Sequence, residues 1–122
     1  MGQYAPNYFP AKRRSYVASA AITGGQLVAL SGTGTVAPTS AATAAYLGVA
    51  EYDAVSGAPV TVLQGEGEHL LTASGSITAG DLVVAAASGE VADIGAGTNW
   101  SQVVGVALAS VTNGETVPVL FR

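Results

Sequence analysis

The chain contains no cysteine, and its 122 residues include one histidine, one tryptophan and one methionine. Without cysteine there is no disulfide, no thiolate metal site and no cysteine nucleophile. His69 is the sole imidazole, which leaves too few donors for a zinc centre of ordinary ligands. Serines are plentiful, but no Gly-x-Ser-x-Gly elbow gives any of them the setting of a Ser-His-Asp nucleophile. His69 thus reads as a surface or strand-end residue. Gly65-Glu66-Gly67 makes no phosphate cradle, because Glu66 and Glu68 would repel the phosphate. Glu51 and Asp53 share one strand face, as do Glu66 and Glu68, but no Asp-x-Asp-x-Asp-Gly loop backs a calcium site. These read as solvated faces. Catalytic residues, metal ligands and cofactor-binding residues are all expected to be absent, and the chain is not read as an enzyme.

Positive charge is also scarce. The four bases are Lys12, Arg13, Arg14 and Arg122, and none stands between Ser15 and Phe121. All eight acids fall inside that interval, giving a net charge of −4. Nucleic acid is a poor partner for such a surface, since its affinity rests on Lys and Arg neutralising phosphates. An acidic body with a basic arm instead suits contact between copies, or docking on another acidic protein. The plainer reading is a solvated basic turn, because exposed ion pairs contribute only ~0–1 kcal/mol. No basic segment followed by an apolar run opens the chain, so no signal peptide is expected. Pro6 stands where a myristoylation signal needs Ser or Thr. Asn99-Trp100-Ser101 then matches the glycosylation pattern by chance. Gly, Ser, Thr and Pro break every apolar stretch before it reaches the ~20 residues of a membrane helix. A soluble chain without nucleic-acid or membrane partners is expected.

What the chain does have is an internal echo. Ala18-Ser-Ala-Ala-Ile-Thr-Gly-Gly-Gln-Leu-Val28 returns as Ala73-Ser-Gly-Ser-Ile-Thr-Ala-Gly-Asp-Leu-Val83, identical at seven of eleven positions. Gly48-Val49-Ala50 returns as Gly105-Val106-Ala107, and Gly57, Val60, Val62 and Leu63 as Gly114, Val117, Val119 and Leu120. A period of this length marks repeat architecture. The chain reads as an extended arm over residues 1–14 and a single β domain over 15–122, built of pseudo-repeats at about 18–64 and 73–121.

Short β-branched, alternating segments favour strands over helices. They are 16–21, 26–30, 46–52 and 59–63 in the first repeat, and 69–73, 81–85, 102–108 and 116–121 in the second. Gly24-Gly25, Ser56-Gly57, Ser88-Gly89 and Asn113-Gly114 punctuate them at the spacing of a small all-β barrel or sandwich. Pro118 has no amide donor, so the last strand is an edge there or its nitrogen faces outward. Two longer connections, 37–45 and 93–101, hold corresponding places, and the first has room for a short helical turn. The second carries Trp100, read either as a local core plug or as an interface anchor. In the arm, Pro6 and Pro10 disfavour helix, while Tyr4, Tyr8 and Phe9 supply amphipathic anchors beside Lys12, Arg13 and Arg14. The arm either reaches a partner or packs back on its own domain.

The repeated Ile-Thr-(Ala/Gly)-Gly-(Asp/Gln)-Leu-Val run, and Leu47-Gly-Val-Ala-Glu-Tyr-Asp-Ala followed by Pro59-Val-Thr-Val-Leu63, resemble small capsid decoration (cement) proteins of tailed bacteriophages. Tyr46 to Leu71 is more loosely similar to lambda-type head decoration proteins. The resemblance spans residues 18–122. It implies a β-tulip-like barrel or sandwich on the outer surface of the expanded head of a virion, made in the host cytoplasm and commonly a homotrimer. It further implies that the arm, Tyr4 to Arg14, reaches the major capsid protein, and that no cofactor is needed. A second reading is a small β module binding a saccharide or other ligand within a larger assembly, on an aromatic platform around Trp100 and Tyr52.

Overall fold

A computed structural model describes residues 12–65, 67–95 and 99–121. The fold is all-β, as expected. Its strands are β1 (Lys12–Ala18), β2 (Leu27–Gly32), β3 (Thr35–Pro38), β4 (Tyr46–Ala50), β5 (Pro59–Gln64), β6 (Gly67–Thr72), β7 (Leu82–Ala85), β8 (Val91–Asp93), β9 (Val103–Ala107) and β10 (Thr116–Phe121). Two single 3₁₀ turns, Ala87–Gly89 and Trp100–Gln102, complete the regular structure of the described residues. No helix among them is long and apolar enough to cross a membrane.

Each repeat rolls up by itself. The first forms a closed barrel in the order β1-β3-β2-β4-β5, and the second a five-stranded sheet in the equivalent order β6-β10-β9-β7-β8. The seam of the first barrel is a parallel contact between β1 and β3 at Val17–Thr35 and Ala18–Val36. At the same place the second repeat keeps a single parallel bridge, Ala73–Val91. The choice between barrel and sandwich is thereby resolved in favour of barrel-like units, one per repeat.

Alternation along the strands fills each interior. Val60 and Val62 of β5 point inward with Ala18, Ile22, Val28, Val36 and Ala50. Their counterparts Val117 and Val119 of β10 do so with Ala73, Ile77, Val83, Val91 and Ala107. The echo at Ile22 and Ile77 is structural too: each forms an antiparallel bridge, to Ala54 and Val111 respectively. Where the repeats differ, the bond survives. Gln26 Oε1 accepts from the Thr23 amide at 2.8 Å, and Asp81 Oδ2 from the Thr78 amide at 2.9 Å. Asp53 Oδ1 accepts from the Gly24 amide at 2.8 Å, and Ser110 Oγ from the Ala79 amide at 2.9 Å. The turn needs an acceptor at those positions and tolerates any short polar side chain that brings one.

The structure departs from the sequence expectation at four places. β3 and β8 are absent from the strands expected on sequence and run into the two connections at 37–38 and 93, because four and three residues containing Ala, Pro and Asp carry almost no period-two signal. Pairing with β2 and β7 makes them strands. Residues 39–45 hold no helical turn. β10 is not an edge, since it lies between β6 and β9. Pro118 is tolerated because the β9 ladder has just ended at Ala107–Val119. Its carbonyl still accepts from the Leu108 amide at 2.9 Å. Trp100 is 64% exposed, so it plugs no core; its turn is held outward by Asn99, whose Oδ1 accepts from the Ser101 hydroxyl at 2.6 Å.

The two units are joined by apolar and polar contacts. Leu27 and Val49, outward-facing on the first barrel, are 0% and 5% exposed because they pack into the core cluster of the second. The Tyr46 hydroxyl donates to the Val103 carbonyl at 2.8 Å, and Thr39, itself buried, donates to the Ala86 carbonyl at 2.8 Å. Gln26 Nε2 donates to the Ser88 carbonyl at 3.0 Å.

His69 is not a loose strand end. It stands inside β6, half-buried, with its ring 4.5 Å from that of Phe121. Burial lowers its pKa below the usual 6.5, so the unfolded chain takes up a proton that the folded chain resists. Stability is therefore unaffected by this group above about pH 6.5 and declines as pH falls below it. In a comparison of melting temperatures at pH 7.5 and 5.5 (approximate settings on either side of that value), His69→Gln should show the smaller acid-induced drop. Equal drops in the two proteins would show that His69 gains no charge on unfolding.

Candidate interaction surface

The basic cluster belongs to a strand. β1 starts at Lys12, and its residues pair with β5 from Lys12–Gln64 to Val17–Pro59. Lys12, Arg13 and Arg14, counted with the arm on sequence grounds, therefore enter the first barrel with the backbone fixed. Alternation then separates them: Arg13 lies opposite Leu63 and Arg14 opposite Val62. Arg13 reaches Glu51 at 3.3 Å, an exposed pair of small energetic weight. The Arg14 guanidinium sits 5.7 Å from the Tyr16 ring centroid, at cation–π distance. Both side chains face solvent. Tyr4, Tyr8 and Phe9 lie outside the described residues. Trp100 stands on the second repeat, exposed in the turn that leads into β9.

A different surface emerges from the register. Arg13, Leu63, Val49 and Leu27 lie directly across from one another on β1, β5, β4 and β2. In the second repeat the same row reads Glu68, Leu120, Val106 and Leu82 on β6, β10, β9 and β7. Both rows face outward. The Leu-Val-Leu ladder of the first is covered at Leu27 and Val49 by the second barrel, whereas that of the second is open. Leu120 is 44% exposed there, and Leu108 and Leu70, in the neighbouring row on either side of Pro118, are 45% and 64% exposed. Sequence reasoning missed this patch. The signal was the identity of Leu27-Val28 with Leu82-Val83 and of Leu63 with Leu120, but whether a ladder is covered depends on the packing of the units.

The described residues include no cluster of three or more His, Cys, Asp or Glu side chains able to hold a metal ion. Glu115, fully exposed, is held below the usual carboxylate range by the Thr112 amide and hydroxyl that donate to it, a turn bond with no chemistry attached. Tyr52 donates to or accepts from the Thr61 hydroxyl at 2.8 Å on the first barrel, while Trp100 leads into β9 of the second. What the surface offers is apolar and backbone-rich contact.

Comparison with known proteins agrees with that character. Among solved structures, the N base of the head fiber gp8.5 of bacteriophage phi29 superposes with a TM-score of 0.73 at 18% identity, covering 93% of this chain and 95% of that one. At that identity the likeness is one of fold. No curated protein matches. Residues 10–122, which take in all ten strands, match the family of phage cement proteins. The chain belongs to the phage cement protein family, and its role is that of a structural component associated with a phage capsid.

Proposed function

We propose that this chain decorates the outer surface of an expanded phage head as a homotrimer, binds the major capsid protein and holds neighbouring capsid subunits together. The observation that carries the reading is the family match across both repeats, residues 10–122. A fold shared with the base of a phage head fiber is compatible with a place on the outside of the head. The physical logic is differential binding: a clamp stabilises the expanded lattice only if it binds that lattice better than the compact one. Each contact is allowed to be weak, since a trimer engaging several sites gains about 10²–10⁴ in avidity. Barrels with short connections lose little entropy on docking. Tyr4, Tyr8 and Phe9 of the N-terminal segment supply the reach to the capsid protein, Lys12, Arg13 and Arg14 at the start of β1 add positive charge at its root, and Trp100 is an exposed anchor on the body.

The test is to add the purified protein to expanded heads that lack it, then count bound copies by sedimentation and gel densitometry. Saturable binding in hundreds of copies (an order-of-magnitude expectation for a repeated lattice site), with heads that rupture at a higher temperature, is expected. A chain lacking residues 1–11 keeps β1 and should bind at least about tenfold more weakly, as expected for a lost multivalent contact. Full decoration by that shortened chain would remove the segment from the interface, and no binding by the intact chain would sink the decoration role.

A further inference from the structure

We infer that the open ladder of the second barrel, Leu82–Val106–Leu120 with Leu108 and Leu70 beside it, is where a second copy of this chain packs, head to tail, in the manner of the two barrels within one copy. The inference rests on the part of the proposed function in which copies associate, and it names the surface they use.

The argument starts from the repeat. Repeat units that stack bury one face against the next unit, and the last unit is left with that face open unless it is capped by polar residues. Here the first unit's ladder is covered by the second at Leu27 and Val49. The second unit keeps the same Leu-Val-Leu row across β7, β9 and β10. No polar capping has replaced it. The adjoining row is in fact more apolar than in the first unit: Leu70, Pro118 and Leu108 stand where the first unit has Ser15, Thr61 and Glu51. Leu70, Leu108 and Leu120 are exposed and Leu82 and Val106 partly so; apolar side chains contiguous in this way mark a contact surface, whereas single ones do not.

The complementary surface is also free. Within one copy, the covering side of the second barrel is the rim around Ala86–Gly89, which receives Thr39 and Gln26. The matching rim of the first barrel is Leu30 with the Gly32–Gly34 turn, and it is exposed, Leu30 at 46%. A copy thus presents an uncovered ladder at one end and an unused rim at the other. Such a contact is heterologous, so it closes into a ring or runs on as a fibre according to the rotation per copy. The intramolecular joint, continued between chains, favours a second copy over any other occupant.

Sedimentation velocity of the free protein tests this without any capsid. Wild type should self-associate. Leu108→Glu, Leu120→Glu changes two half-exposed side chains and should raise the dissociation constant at least about tenfold while leaving the melting temperature close to wild type. Leu30→Lys, at the other end, should do the same. Mixing the two variants should restore a one-to-one association, because each keeps the surface the other has lost and the substituted ends stay unpaired. If the doubly substituted chain proves unstable, Leu108→Glu alone carries the test. A monomeric wild type, or variants that associate like wild type, would overturn the inference. Variants that self-associate normally but no longer bind heads would also overturn it, assigning the ladder to the capsid protein and leaving the decoration role intact.

Discussion

Replacing Gly48 by alanine is expected to cost about 3 kcal/mol or more, and Gly105 the same, which places them among the most damaging single substitutions in the chain. A Cβ at Gly48 would lie 2.1 Å from the Leu63 carbonyl oxygen, and one at Gly105 2.1 Å from that of Leu120. These oxygens belong to the strands facing β4 and β9, where Gly48 pairs with Gln64 and Gly105 with Phe121. A side chain can turn away from an added methyl group, but a carbonyl in a ladder cannot move without opening the pair. For a domain of this size the loss corresponds to a melting temperature lower by roughly 12 °C or more, read by circular dichroism. Gly57→Ala is the control: its φ is +90° with nothing within 4 Å, so it carries only backbone strain of about 1–2 kcal/mol. A Gly48→Ala protein as stable as Gly57→Ala would show that β4 and β5 do not approach this closely.

The second expectation separates two leucines that the sequence makes identical. Leu27 and Leu82 occupy the same place in the echo, yet Leu27 is 0% exposed at the joint between barrels and Leu82 is only half-buried on the open ladder. Leu27→Ala should therefore cost about 3–4 kcal/mol in urea unfolding, near the middle of the range for a buried leucine. Leu82→Ala should cost about 1 kcal/mol in the monomer, since less apolar area is returned to water. Losing Leu27 should also expose the second core, because it is a member of that cluster. Equal costs at the two sites would mean that the barrels do not bury each other's surface as described.

These two cases divide what was legible from what was not. The repeat was visible because the turns demand particular chemistry: a Thr whose amide needs an acceptor three residues on, and glycines where main chains approach. Such demands are local, so both copies meet them, with the same threonine at 23 and 78 and with an acceptor three residues on in each, Gln26 and Asp81; strand content, turns and the family resemblance all follow from such local patterns. The absence of cysteine, of a second histidine and of basic residues between Ser15 and Phe121 equally excluded whole classes of chemistry without any coordinates.

The placement of charged and aromatic residues was less legible. Arg13 and Arg14 looked like part of an arm because Pro6 and Pro10 precede them and no alternation precedes Tyr16; hydrogen bonding to β5 is what makes them strand residues. Trp100 had a core reading because bulky aromatics usually bury themselves, but the Asn99-capped turn points it outward. β3 and β8 are too short to announce themselves and exist because β2 and β7 offer them partners.

The sequence by itself determined that this is an all-β chain of two related units, with no thiol and a single imidazole, since periodicity, turn residues and missing side chains are properties of the chain alone. Only the tertiary structure decided that the first unit closes into a barrel while the second rolls up with a single bridge at its seam, and that the ladder of Leu27 is buried while that of Leu82 stands open. The reason is that burial is a relation between units: the same leucine is core or surface according to whether another barrel stands against it.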